Sequence, residues 1–155
     1  MSRRWCWKRS NSPTALEMAI TLKQGEVVEY PYLWHWQQER GETGGRKDRP
    51  ACLALILPKD GVTHVVLLAV TGTPPGKDRA AIAIPQIEAR RGGLRHWKAG
   101  WVILDECNID VAERSFHGDF ARTPRGRFSE AFMAQVKEAL KSAMEAKVLR
   151  RIDRV

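Results

Sequence analysis

Cysteine is scarce: Cys6, Cys52 and Cys107 make an odd number with no Cys-x-x-Cys spacing. That count argues against a disulfide framework and against a cysteine-built zinc site. Cys52 and Cys107 stand inside apolar runs, where a free cysteine acts as a small core hydrophobe. No run approaches the ~18 continuous apolar residues of a membrane span. No hydrophobic segment follows the basic start at Lys8 and Arg9, so no secretory signal is expected either. The expectation is a cytoplasmic chain with no membrane partner. The usual catalytic signatures are also missing: there is no P-loop, Rossmann glycine pattern, HExxH or nucleophile elbow. His35, His64, His96 and His117 lack metal-ligand spacing, and neither a metal nor a cofactor is expected. His64 alternates with apolar neighbours at a strand start and reads as structural.

Acidic residues are outnumbered, 18 against 26 Lys and Arg, for a formal net charge of +8. Such a surface attracts anionic partners, nucleic acid foremost, although ribosomes, acidic proteins and lipid headgroups also qualify. The length of 155 residues suits one domain, and 43% apolar content supplies a core. Residues 1–22 form a basic extension in which Arg3, Arg4, Trp5, Trp7, Lys8 and Arg9 precede Ser10, Asn11, Ser12 and Pro13. It is either a nucleic-acid tail or a disordered extension, and Met18 is an alternative start.

The folded unit is expected over residues 23–155: a barrel over 25–110, a linker over 111–127 and a C-terminal helix over 129–148. Strand formers begin with Val27, Val28, Tyr30, Tyr32 and Trp34, and Pro31 marks an edge or bulge. Residues 37–48 are polar and glycine-rich and read as a long exposed loop. Residues 51–57 and 64–70 form a hairpin around Pro58, Lys59, Asp60 and Gly61. Short strands follow at 81–84 and 101–104, with a basic loop at 90–100 between them. No helical periodicity shows before the C-terminus. There Ser129 is an N-cap, Phe128 staples onto Met133, and Phe132, Val136, Leu140 and Met144 recur every fourth residue. The fold class is mainly β (α+β), a small antiparallel barrel carrying a C-terminal amphipathic helix.

An enzyme with neither metal nor cofactor suits a substrate that brings its own nucleophile. RNA is one, because its 2′-hydroxyl attacks the adjacent phosphate. The protein then supplies a base, cationic hydrogen bonds to the phosphorane and a proton for the leaving oxygen. Arg49, where the glycine loop meets the apolar strand, offers a bidentate cation. Thr71, at the end of the next strand, offers a hydroxyl at the same edge of the hairpin. On spacing alone, a solvated loop charge and a hairpin-end hydroxyl are the favoured explanation of the pair. Trp34, His35 and Trp36 either stack bases and exchange protons or pack on the barrel, and the same choice holds for His96 with Trp97.

Gly25-Glu26-Val27-Val28, the glycine loop ending in Arg49-Pro50, the strand ending in Val70-Thr71, and Val102-Ile103-Leu104-Asp105-Glu106 resemble the PemK/MazF toxin family in order and spacing. The resemblance covers roughly residues 24–110. It implies an SH3-like barrel of the PemK/MazF type, a homodimer, metal-independent cleavage of single-stranded RNA to a 2′,3′-cyclic phosphate, and inhibition by a cognate antitoxin. It also implies Arg49 as the transition-state cation, Thr71 as a phosphate ligand and Asp105 as the late-strand acid. Ile103 stands where some members carry a second arginine, Glu106 replaces the usual glutamine, and Asn108 replaces a following arginine. The RNA-binding candidates are Trp34, His35, Arg46, Lys47, Arg95, His96 and Asn108. Arg46, Lys47 or Arg95 would replace the missing cation. The alternative is a non-catalytic barrel that binds RNA or a protein, including a gyrase-poison-like toxin.

Overall fold

The computed structural model describes residues 22–155, so the basic arm and Met18 lie outside the described residues. In chain order the strands are β1 (Glu26–Tyr30), β2 (Arg49–Lys59), β3 (Val62–Thr71), β4 (Ala81–Ala83), β5 (Trp101–Ile103), β6 (Glu106–Val111), β7 (Gly126–Arg127) and β8 (Arg150–Asp153). They form one curled, mainly antiparallel sheet, a half-barrel running β4-β5-β3-β2-β1-β7, with β6 beside β3 and β8 beside β6. Three helices decorate it: α1 (His35–Glu39), α2 (Gln86–Arg91) and α3 (Glu130–Glu145).

Strand alternation explains the continuous apolar runs. Val27, Cys52 and Leu68 are registered neighbours that enter one core, with Phe132, Met133, Val136 and Leu140 of α3. One residue along, Val28, Ala51 and Ala69 enter a second core with Tyr30 and Tyr32. The centre of the sheet is thus buried on both faces, so both alternate sets are apolar. Burial also pushes the Cys52 thiol up to about 12 and the Cys107 thiol up to about 11, which keeps both protonated at neutral pH.

The hairpin closes through Asp60 and Gly61, both at positive φ (55° and 78°). A two-residue connection of that hand matches the strand twist. Two irregularities curl the sheet. Ala54 is an extra residue in β2 between the pairs Leu53↔Leu67 and Leu55↔Val66. The second is larger: from Val70↔Val102 to Leu67↔Asn108, three steps along β3 are matched by six on the opposing chain. The expected continuous strand through Asp105 is therefore broken, and Leu104-Asp105 bulges between β5 and β6.

Other expectations need correction. The segment read as loop from residue 37 begins inside α1, which Gln37 anchors by being 3% exposed. Residues 86–91 are helical, too short a stretch to show periodicity. The linker contains a 3-10 turn (Ala112–Arg114), buried Phe120 against Tyr30, and β7. The last helix stops at Glu145, and Lys147 at φ 60° turns the chain into β8, which pairs parallel with β6. The Ser129 cap forms, its Oγ accepting from the Phe132 N–H at 3.1 Å. In the apolar stripe Phe132, Val136 and Leu140 are buried, whereas Met144 is 51% exposed.

Candidate nucleic-acid interface

The segment after β1 is held outside the sheet by an internal bracket. The Asn108 amide donates to the Leu33 carbonyl at 2.8 Å and accepts from the Leu33 N–H at 2.9 Å. The Arg154 guanidinium donates to the Asn108 Oδ1 and to the Pro31 carbonyl, both at 2.9 Å. Gly45 presses on the Pro31 carbonyl, where any Cβ would collide with backbone. The glycine loop is thereby docked against residues 31–32. Asn108 is 0% exposed, so its assignment as an RNA-binding residue is corrected: its amide is turned inward to Leu33 and Arg154.

Beside this bracket Trp34 packs half-buried against the second core, His35 is half-buried and Trp36 is exposed, and two hollows open around them. The smaller holds about 330 Å³. Tyr32, Trp34 and Trp36 form its aromatic walls, and Arg46, Lys47 and Arg49 its cations, with Gln37 at the base. Arg49 opens β2 opposite Tyr30 and lies over the Trp34 ring at 5.1 Å. Burial lowers its pKa from the ordinary arginine value, which is high enough that the group stays cationic. No carboxylate pairs with Arg49 among the described residues. Arg46, by contrast, is tied to Glu42 at 2.8 Å while it covers Trp36 at 5.0 Å.

The larger hollow, about 660 Å³, shares Trp36 with the first and contains His35, Arg79, Asp105, Glu106 and Arg150. Asp105 is occupied: Arg79 donates to both of its oxygens, at 2.7 and 2.8 Å, and the Ala80 N–H adds a third contact. Arg79 also reaches Glu106 at 2.9 Å. Burial raises the Glu106 pKa, although the His35 N–H, the Arg79 guanidinium and the Tyr32 hydroxyl all favour its carboxylate. The Arg150 guanidinium stands 3.0 Å from His35 Nδ1. Because arginine only donates, that nitrogen carries no proton and Nε2–H is the free donor. The Glu39 carboxylate lies 3.4 Å from the same Nδ1 but, being an acceptor too, is not its hydrogen-bond partner in this tautomer.

The expected catalytic set is therefore not in one place. The register Ala51↔Ala69 carries Arg49 and Thr71 to the same end of the hairpin, yet Thr71 lines neither hollow. Its Oγ1 accepts from the Thr73 N–H at 3.1 Å, and Trp97 packs on the adjacent Gly72. Asp105 lies in the larger hollow, away from the lining that contains Arg49. Arg95 and His96 are exposed beyond α2 and line neither hollow. Among the described residues, no group of histidines, cysteines and carboxylates is arranged to hold a metal ion. No helix there is long and apolar enough to cross a membrane.

Sequence reasoning did not find Arg79, Arg150 or Gln37. Arg79 and Arg150 meet partners 26 and 115 residues away, so nothing local marked them. Gln37 carried a weak local signal: a glutamine three residues after Trp34 can reach back to that residue's N–H, as it does at 3.0 Å. No protein family, curated protein or solved structure matches the chain.

Proposed function

We propose that the chain is a toxin of the PemK/MazF kind that cleaves single-stranded RNA without a metal, with its sheet as the corresponding SH3-like barrel. The carrying observation is Arg49: a half-buried guanidinium with no carboxylate partner among the described residues, stacked on Trp34 beside Lys47 and Arg46. An unneutralised cation against aromatic walls suits a phosphate flanked by unstacked bases. In this reading Arg49 meets the charge that develops on the phosphorane when the 2′-oxygen attacks. Thr71 holds a neighbouring phosphate, His35 Nε2–H donates a hydrogen bond to the leaving 5′-oxygen, and water takes the 2′-hydroxyl proton and returns one to that oxygen as the P–O5′ bond breaks. Asp105, tied to Arg79, positions that cation instead of moving protons. A cognate antitoxin covers the same face, and a homodimer completes the assembly.

The test is incubation with long single-stranded RNA in EDTA. Wild type is expected to yield 2′,3′-cyclic phosphate ends, and Arg49→Ala to be slower by about 100-fold, the scale of losing one transition-state donor. Absence of cleavage by wild type, or equal cleavage by the variant, removes the assignment. Growth arrest on induction, relieved by co-expressing the neighbouring open reading frame, tests the toxin role.

A second reading, an RNA-binding barrel without catalysis, is favoured by two observations. Asp105 is consumed by its ion pair, and Ile103 is 2% exposed where a second arginine would stand. Arg49-dependent binding without cleavage selects this reading.

A further inference from the structure

We infer that the hollow beside Arg49 is a nucleobase pocket in which Gln37 reads the edge of the base, an inference that rests on the RNA reading above. Gln37 is 3% exposed yet lines the hollow. The orientation of its amide follows from chemistry. The Trp34 N–H can only donate, so the Gln37 atom 3.0 Å from it is the carbonyl Oε1. The amide nitrogen therefore occupies the other side. Among the described residues Nε2 has no hydrogen-bond partner. It is not sealed in, because Arg154 Nε is the single fully enclosed side-chain atom there that lacks one. The main chain that carries the side chain is fixed as well, since the Gln37 backbone carbonyl accepts from the N–H groups of Arg40 and Glu42, both at 3.1 Å. The result is a nearly buried, fixed NH₂ donor facing open space.

The walls suit a base. Tyr32 and Trp34 meet edge to face at 5.1 Å, and Trp36 is 43% exposed. Arg46 and Arg40 lie over the Trp36 ring at 5.0 and 5.2 Å, and a base can displace either planar cation. Arg49 and Lys47 then stand ready for the flanking phosphates. The volume of about 330 Å³ lies at the small end of ligand sites.

A donor whose paired carbonyl is already committed discriminates between bases. Uracil and cytosine present carbonyl oxygens to it. Adenine's N1 and N7 each sit beside an amino group, a second donor that crowds the Gln37 NH₂ where uracil and cytosine offer an open carbonyl. The pocket therefore disfavours adenine. Gln37→Glu keeps an oxygen for the Trp34 N–H but turns the free donor into an acceptor, so adenine and cytosine gain over uracil.

The experiment is fluorescence anisotropy in EDTA with labelled octamers of uridine, cytidine and adenosine. Wild type is expected to bind the uridine octamer about ten-fold more tightly than the adenosine octamer. Gln37→Glu is expected to abolish that ratio and to place uridine below cytidine, whatever the general loss from added negative charge. Trp36→Ala, at an exposed position, is expected to weaken all three by about ten-fold with an unchanged circular dichroism spectrum. Its test stands even if Gln37→Glu does not fold. Equal binding of the three octamers by wild type, still weakened by Arg49→Ala, overturns the pocket and leaves the RNA reading intact. Unchanged affinity in Trp36→Ala also overturns it, and failure of wild type to bind any octamer overturns both.

Discussion

At the scale of single residues, the side chains that organise this face are those with no slack. Asn108 satisfies both backbone groups of Leu33 while holding Arg154, so its removal leaves three buried polar groups short of a partner. Asn108→Ala is expected to cost about 3 kcal/mol in urea unfolding, the range for orphaned buried donors and acceptors. A loss under about 1 kcal/mol would mean that water or a shifted backbone replaces the amide. Asn108 also shows why site residues were only partly legible. Its type and place suggested RNA binding, but a 0% exposed amide spends its capacity inward, and burial at one position depends on residues far away in sequence. Arg49 was legible because a loop-to-strand junction is a local feature. Arg79 was not, because its meaning comes from Asp105 across the bulge.

At the scale of elements, α3 is fastened at its start by an acid from another helix. Glu88 accepts from both the N–H and the hydroxyl of Ser129, each at 2.8 Å, while Arg91 pairs with it at 2.6 Å. Burial alone would raise its pKa, but the Ser129 and Arg91 interactions outweigh that and leave it below the ordinary carboxylate value. A carboxyl held lower in the folded than in the unfolded chain gives stability at neutral pH, lost as pH falls through the depressed value. Wild type is therefore expected to lose stability below about pH 4.5, where free carboxylates begin to protonate. Glu88→Gln is expected to start about 1–2 kcal/mol lower at pH 7 and to show a flatter acid limb. Parallel pH profiles of thermal melting would exclude this role for Glu88. The hairpin and α3 were readable because apolar runs of strand length, an Asp-Gly turn and a serine cap are local. β8 was not, because three charged residues surround Ile152, which alone enters the core at 0% exposure.

At the scale of the whole molecule, the net charge of +8 acquires direction. Three cations line the aromatic hollow, and the proposed RNA binding would give it a measurable salt dependence. Affinity for single-stranded RNA is expected to fall with a log–log slope near about −2 for three phosphate contacts, and Arg49→Ala to flatten it by about 0.7. A slope unaltered by that substitution would place Arg49 off the phosphates. The curled sheet was legible as a class from short strands and turns, whereas its division into two hollows was not. That division depends on the bulge at Asp105 and on a strand that returns from the end of the described chain.

The same returning strand has a consequence for biosynthesis. β8 is translated after every other strand of the sheet, yet it supplies Arg150 to His35 and leads to Arg154, which clamps Pro31 and Asn108. During vectorial synthesis the earlier hairpin can form while β6 still has an open edge. Residues 31–35 reach their final placement only when β8 arrives. A nascent chain that still lacks β8 therefore also lacks the Arg150 and Arg154 contacts that hold residues 31–35 against Asn108 and the sheet.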